Sequence, residues 1–223
     1  MSPPPAVGAV FFDLFGTLLS LAPLDRVCDR IAPGRGGEIA ERWRARQLEA
    51  SWLRTSMERW ADFDVVTRDA FVVALEELGI EPPPDIDAVA GAFLDLPLAD
   101  GAADAVRRLR EAGAEIGILT NASGRALEHV AARLDLRIDH LLSVDAAQRF
   151  KPHPGVYQLA VDATHLETGR IGFVTANGWD AAGAASFGFR VGWLRADPSA
   201  RLPAVGVEGP MVVTWADLGH RFG

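Results

Sequence analysis

Asp13, Lys151 and Asp180 are the residues of this sequence best suited to chemistry. Of the 22 basic residues, 21 are arginine and Lys151 alone is lysine, and the single tyrosine, Tyr157, follows six residues later. A carboxylate beside an ammonium group stays ionised and can act as a nucleophile. A second carboxylate can then activate water to release the covalent intermediate. Taken alone, Asp13 serves equally well as a helix or loop cap, and compositional drift can leave one lysine. The case for chemistry rests on where the chain brings such groups together.

Those positions follow from the elements around them. Residues 7–12 form a polar-free run that reads as a strand buried on both faces and ends at Asp13. From about 20 to 96 the period is helical. Residues 38–60 carry Ile39, Trp43, Leu48, Trp52, Leu53, Met57 and Trp60 as one amphipathic helix. Thr67 is the expected cap of a second helix bearing Phe71, Ala74, Leu75 and Leu78, stopped by Gly79. Pro82-Pro83-Pro84 then precedes a short helix at 85–93.

After Pro97 strands and helices alternate. Asp100 is the expected cap of a helix running through Arg110 and closed by Gly113, and residues 115–119 read as a strand. A helix at 124–134 has Ser123 as its cap. A strand at 140–144 and a helix opened by Pro154 follow. Strands at 171–174 and 190–194 flank a helix near 180–187, and a strand at 211–213 precedes a terminal helix. The expected fold class is therefore α/β: a parallel sheet covered on both faces, residues 1–19 and 97–223, with a helical insertion at 20–96 after the first strand.

In an open parallel sheet, ligands bind beyond the carboxyl ends of the strands. The first strand ends at Asp13, the second at Thr120-Asn121, and the fourth at Thr175 with Asn177 and Asp180 just beyond. Lys151 lies in the loop after the third. Four strand ends offering catalytic-type groups are hard to obtain from capping alone. No glycine-rich fingerprint follows the first strand, since Gly16 alone makes neither a dinucleotide site nor a P-loop.

Composition bounds the rest. With 49% apolar and 23% charged residues among 223, the chain supports a packed core and excludes long disorder. Its formal net charge of −8, without a basic block, argues against nucleic acid or an anionic membrane as partner. No apolar run approaches the ~20 residues of a membrane span. The opening Met1-Ser2-Pro3-Pro4-Pro5 lacks the features of a signal peptide. A single cysteine, Cys28, excludes an intramolecular disulfide, so the expected location is cytoplasmic. Cys28 and the five histidines match no nucleophile–base or metal-ligand spacing.

The motifs resemble those of the haloacid dehalogenase superfamily: Phe12-Asp13-Leu14-Phe15-Gly16-Thr17-Leu18, Leu119-Thr120-Asn121-Ala122-Ser123, Arg149-Phe150-Lys151-Pro152 and Ala176-Asn177-Gly178-Trp179-Asp180-Ala181. More narrowly, the chain is similar to the type II L-2-haloacid dehalogenases. The runs carrying this are Pro33-Gly34-Arg35-Gly36, Trp43-Arg44, Gln47-Leu48-Glu49, Trp52-Leu53-Arg54, Val156-Tyr157 and Phe187-Gly188-Phe189. The resemblance covers nearly the whole chain. It implies a Rossmann-like core with the insertion as a helical cap, a homodimer, no cofactor and no metal.

It further implies attack of Asp13 on Cα of a short L-2-haloalkanoate with inversion, then hydrolysis of the aspartyl ester by water positioned by Asp180, releasing a D-2-hydroxy acid. Lys151 would keep Asp13 ionised, and Arg44 and Asn121 would cradle the halide. Thr120 and the backbone N–H groups of Leu14 and Phe15 would hold the substrate carboxylate. Thr17, Tyr157, Thr175 and Asn177 would support the site by hydrogen bonds. Leu48, Phe63, Trp179 and Phe15 would wall the alkyl side, although core packing explains Phe63 equally well. Arg44 shares a helix face with Leu48; without the Trp-Arg match it would read as a surface arginine lying over apolar neighbours.

One position separates the branches of the superfamily. Its phosphatases carry a second Asp two residues after the nucleophile, which protonates the leaving oxygen and whose backbone carbonyl helps bind Mg²⁺. Here that position is Phe15, which has no proton to give. Halide needs no acid to leave carbon, so Phe15 favours carbon–halogen chemistry over a small-molecule phosphatase. A catalytically weak carboxylate-binding protein is the third reading. The chain departs from the common pattern in having Thr120 for Ser, Thr175-Ala176 for a serine pair, Phe15 for Tyr and Ser20 for Asp. The threonines keep their hydroxyls and add a methyl that narrows the pocket.

Overall fold

The structure is a computed structural model that describes residues 7–195 and 197–222. The opening segment Met1 to Pro5, read above for a signal peptide, lies outside the described residues. Six strands form one parallel sheet: β1 (Ala9–Phe12), β2 (Glu115–Thr120), β3 (His140–Ser143), β4 (Ile171–Thr175), β5 (Arg190–Trp193) and β6 (Met211–Val212), in the order β3-β2-β1-β4-β5-β6. The expected α/β class with a parallel sheet is what the chain adopts.

The order matters for the site. β1 lies between β2 and β4, with Phe12 opposite both Ile118 and Val174. The ends carrying Asp13, Thr120 and Thr175 are thus neighbours at the centre of the sheet. β1 and β4 are buried along their whole length, as their unbroken apolar runs require.

Between β1 and β2 the described chain forms only helices until α5 (Ala102–Glu111). They are α1 (Pro23–Asp29), α2 (Gly36–Ser56), α3 (Phe63–Glu77), α4 (Ile86–Ala90) and a 3₁₀ turn, Gly91–Asp95. On the sheet side follow α6 (Gly124–Ala131), α7 (Pro154–Thr164), α8 (Gly178–Phe187) and α9 (Leu218–Phe222). No helix among the described residues is long and apolar enough to cross a membrane.

Several local expectations need correction. α2 ends at Ser56, so Met57 and Trp60 lie beyond it. Its buried face is Ile39, Trp43, Gln47 and Ser51, whereas Trp52, Leu53 and Met57 are exposed. Gln47 can be buried because its amide donates to the Thr67 hydroxyl (2.6 Å), and Ser51 because its hydroxyl donates to the Gln47 carbonyl (2.7 Å). Thr67 therefore does not cap α3. Asp62 does, accepting from the Asp64 N–H at 2.8 Å, and Thr67 sits in the second turn as Gln47's partner. Nor does Asp100 cap α5: Gly101 occupies that position with φ +86°, a conformation other side chains resist. Ser123 caps α6 as expected. Trp43 is the hub of the helical block. Its ring lies 4.5 Å from Phe71 and 5.1 Å from Phe93, and its indole N–H donates to the Thr67 carbonyl at 2.8 Å.

Candidate active site

Asp13 follows β1 directly, its N–H bonded to the Val174 carbonyl of β4 (3.0 Å). The turn after it is closed by Gly16 at φ +80°. Its two carboxylate oxygens have different surroundings. Oδ1 accepts from Lys151 Nζ at 2.8 Å. Oδ2 accepts from Asn177 Nδ2 at 2.7 Å, Thr17 Oγ1 at 2.9 Å and, more weakly, Thr175 Oγ1 at 3.5 Å.

Lys151 is fully buried and its ammonium group has three acceptors: Asp13 Oδ1, Asp180 Oδ2 (2.7 Å) and the Leu119 carbonyl at the end of β2 (3.1 Å). Burial works against its charge, but the attraction of Asp13 and Asp180 prevails and holds the ammonium above its ordinary pKa. Asp180, also fully buried, stands in the first turn of α8. Its Oδ1 accepts from the Tyr157 hydroxyl of α7 at 2.7 Å. Burial pushes the Asp180 carboxyl up to about 6; Lys151 opposes this shift and nearby Asp13 adds to it. Burial, followed by the charge of Asp180, raises the Tyr157 phenol well above its usual value.

A second layer fixes these groups. Thr17 Oγ1 also accepts from the Ala176 N–H (3.0 Å), and Thr175 Oγ1 from the Asn177 N–H (3.1 Å). Asn121 Oδ1 accepts from the Lys151 N–H at 2.9 Å, while its own amide donates to nothing among the described residues. Thr120 is buried and its oxygen accepts from the Ala122 N–H at 3.1 Å, with no hydrogen bond to Asp13. The Leu14 and Phe15 N–H groups find no acceptor among the described residues, two donors beside the carboxylate.

Arg44 is half-buried and donates to Gln47 Oε1. Burial lowers its pKa against the pull of Asp13 and Asp180, so this guanidinium lies in the field of both carboxylates. The four apolar wall candidates divide. Phe15 and Phe63 border a cavity between the helical block and α6. Leu48 is half-buried one turn beyond Arg44, and Trp179 packs edge-on against Trp52 at 5.7 Å.

The Lys151 loop is held by contacts that have no signature in the sequence. The Phe150 N–H donates to Thr55 Oγ1 on α2 (2.9 Å), its ring stacks on Trp60 (4.8 Å) and touches Phe63 (5.8 Å), and Arg149 pairs with Glu58 at 3.4 Å. The helical block thus grips the residues just before the lysine. The run Arg149-Phe150-Lys151 was the available signal, but nothing in it names Thr55, 95 residues earlier. Gln47, partner of both Arg44 and Thr67, was likewise unassigned. Among the described residues no group of three or more His, Cys, Asp or Glu side chains is placed to hold a metal ion.

Comparison with known proteins shows the family. A family model for haloacid dehalogenase-like hydrolases matches residues 7–188. An (S)-2-haloacid dehalogenase from Pseudomonas sp. (strain YL) is 39% identical over 195 residues, covering 84% of this chain and 82% of its own. One from Xanthobacter autotrophicus is 37% identical over 213 residues, covering 93% and 83%. The structure of the L-2-haloacid dehalogenase from Xanthobacter autotrophicus with chloropropionic acid covalently bound superposes with a TM-score of 0.87, at 32% identity and 96% and 97% coverage.

Proposed function

The chain belongs to the haloacid dehalogenase-like hydrolase family, and from that premise we propose that it hydrolyses short L-2-haloalkanoic acids to D-2-hydroxy acids. The observation that carries this reading is the Lys151 ammonium held between Asp13 Oδ1 and Asp180 Oδ2, with Phe15 where a leaving-group acid would stand. The related enzyme that holds chloropropionic acid covalently supports an intermediate of the same kind here.

In this mechanism Asp13 Oδ1, which has one hydrogen-bond partner, attacks Cα. The carbon–halogen bond breaks as the new C–O bond forms, the halide leaves with the bonding pair, and the centre inverts. Oδ2, with its three donors, remains as the ester carbonyl oxygen. Water then adds to the Asp13 carboxyl carbon and gives its proton to Asp180. Asn177 and Thr17 donate to the oxygen that becomes negative in that step. Collapse expels the 2-hydroxy acid, which takes up a proton, and Asp13 keeps one oxygen from water. Arg44 and the unengaged amide of Asn121 receive the halide. The Leu14 and Phe15 N–H groups, with Thr120, hold the substrate carboxylate. Leu48, Phe63 and Trp179 wall the substituent, Thr175 and Tyr157 brace Asp13 and Asp180, and the helical block 20–96 acts as the cap.

The phosphatase alternative fits the residues poorly. Phe15 stands where a phosphatase of this family would carry the acid that protonates the leaving oxygen, and it has no proton to give. The test is halide release from separate L- and D-2-chloropropionate in EDTA, beside p-nitrophenyl phosphate with Mg²⁺. Chloride from the L isomer alone, with D-lactate formed, is expected. Phosphate-ester turnover without chloride release would overturn the reading. An Asp13→Asn variant that still binds a carboxylate but does not turn over separates enzyme from binder.

A further inference from the structure

Gln47 is fully buried on the face of α2 that also carries Ile39, Trp43 and Ser51. An apolar residue would serve packing there, and a buried amide costs stability unless both its ends are hydrogen-bonded. Both ends are engaged here. Oε1 accepts from Arg44 Nη1, three residues back on the same helix, and Nε2 donates to Thr67 Oγ1 of α3 at 2.6 Å. A guanidinium offers no acceptor, so Oε1 must face Arg44 and the amide has one orientation. Thr67 is itself anchored, because its carbonyl accepts from the Trp43 indole N–H at 2.8 Å. Gln47 therefore ties Arg44 to a fixed point on the neighbouring helix.

Arg44 is held differently from the arginines around it. Arg42 and Arg46 pair with Glu77 at 3.1 and 2.6 Å, and Arg35 pairs with Glu38 at 2.7 Å. Arg44 forms no ion pair among the described residues, and the Gln47 oxygen is the one hydrogen-bond acceptor it meets there. A neutral acceptor fixes a guanidinium without neutralising it, and the other N–H donors stay free for an anion. The same guanidinium lies in the field of Asp13 and Asp180, at the reacting end of the molecule.

We propose that Gln47 is the positioning residue of the halide site: held by Thr67, it fixes the Arg44 guanidinium where the departing halide develops its charge. It thereby sets how well chloride leaves relative to bromide. This rests on the dehalogenase reading, in which Arg44 receives the halide, and adds to it the residue that governs leaving-group preference. Gln47 makes no hydrogen bond to Asp13, Lys151 or Asp180 and acts through Arg44. Chloride is the poorer leaving group, so its departure depends more than that of bromide on charge stabilisation in the transition state.

The test compares three variants. Gln47→Leu keeps the volume and removes the acceptor. Thr67→Val keeps the outline of the side chain and removes the hydroxyl, whereas Thr67→Ser keeps the hydroxyl. Halide release is measured with L-2-chloropropionate and L-2-bromopropionate, because kcat/KM reports the step in which halide departs. In Gln47→Leu, kcat/KM for the chloro acid should fall about ten-fold, the size of one hydrogen bond to a charged group. The bromo acid should lose less, so that the preference for bromide over chloride rises at least about three-fold. Thr67→Val should shift the preference the same way, and Thr67→Ser should return it to that of the unmodified protein. Equal losses on both acids, or an unchanged preference in Gln47→Leu and Thr67→Val, would overturn the proposal. Should Gln47→Leu fail to fold, the two Thr67 variants decide. Silence of the unmodified protein on both acids would instead overturn the dehalogenase reading and this proposal with it.

Discussion

The three protons of Lys151 and both oxygens of Asp180 are engaged in the resting site, and this sets the order of events. Asp13 Oδ1, with one partner, is available to attack, whereas Asp180 is shut between Lys151 and Tyr157. Once Asp13 is esterified it loses its charge, so the pull on Lys151 from that side lapses and Asp180 is the remaining carboxylate beside the reacting carbon. Its raised pKa of about 6 places it in the range of an effective general base. Ester hydrolysis needs the ionised form, and the esterified Asp13 no longer adds to the upward shift, so kcat should rise with pH along an acidic limb at or below about 6. The plateau should persist until Lys151 loses its proton, above its ordinary value of about 10.4. Asp180→Asn should remove the acidic limb and lower turnover by about 10²–10⁴-fold, while a first-turnover burst of halide remains in rapid-quench measurements. Loss of that burst would mean Asp180 serves the first step as well. Asp13, Lys151 and Asp180 were legible because their types are scarce or stand at strand ends. The Leu119 carbonyl was not, because a main-chain oxygen has no signature in sequence.

At the scale of elements, the sheet was legible from apolar runs and turn residues, and its order brought β1, β2 and β4 together as the chemistry required. The helical block was legible as helix but not in its facing. Apolar spacing on α2 marked Trp52, Leu53 and Met57, yet the buried stripe includes Gln47 and Ser51. Those polar residues are buried by partners, and Gln47's partner Thr67 lies 20 residues away. The same logic applies to the Lys151 loop, whose Phe150 N–H ends on Thr55. Thr55→Val leaves that buried donor without its acceptor. We expect kcat to fall about ten-fold with KM little changed, and Thr55→Ser to restore it. A matched fall in stability with unchanged kcat would make the contact merely structural. Trp43→Ala should destabilise the protein by about 3–5 kcal/mol in denaturant unfolding, because the indole joins α2, α3 and the 3₁₀ turn.

For the whole molecule, Leu53 on the outer face of α2 is 51% exposed, Met57 just past the helix 56% and Trp52 39%, a patch that supports the homodimer the family resemblance implies. Leu53→Glu should then halve the mass seen by light scattering, and an unchanged mass would place the interface elsewhere. The central claim concerns the molecule as a catalyst: the oxygen added to the product comes first from Asp13, not from water. It is tested by a single turnover in ¹⁸O-labelled water with enzyme in excess over L-2-chloropropionate. Attack by Asp13 gives unlabelled D-lactate and one ¹⁸O in the peptide carrying Asp13, located by mass spectrometry. Labelled lactate with unlabelled Asp13 would mean that water attacks the substrate directly, and would contradict it.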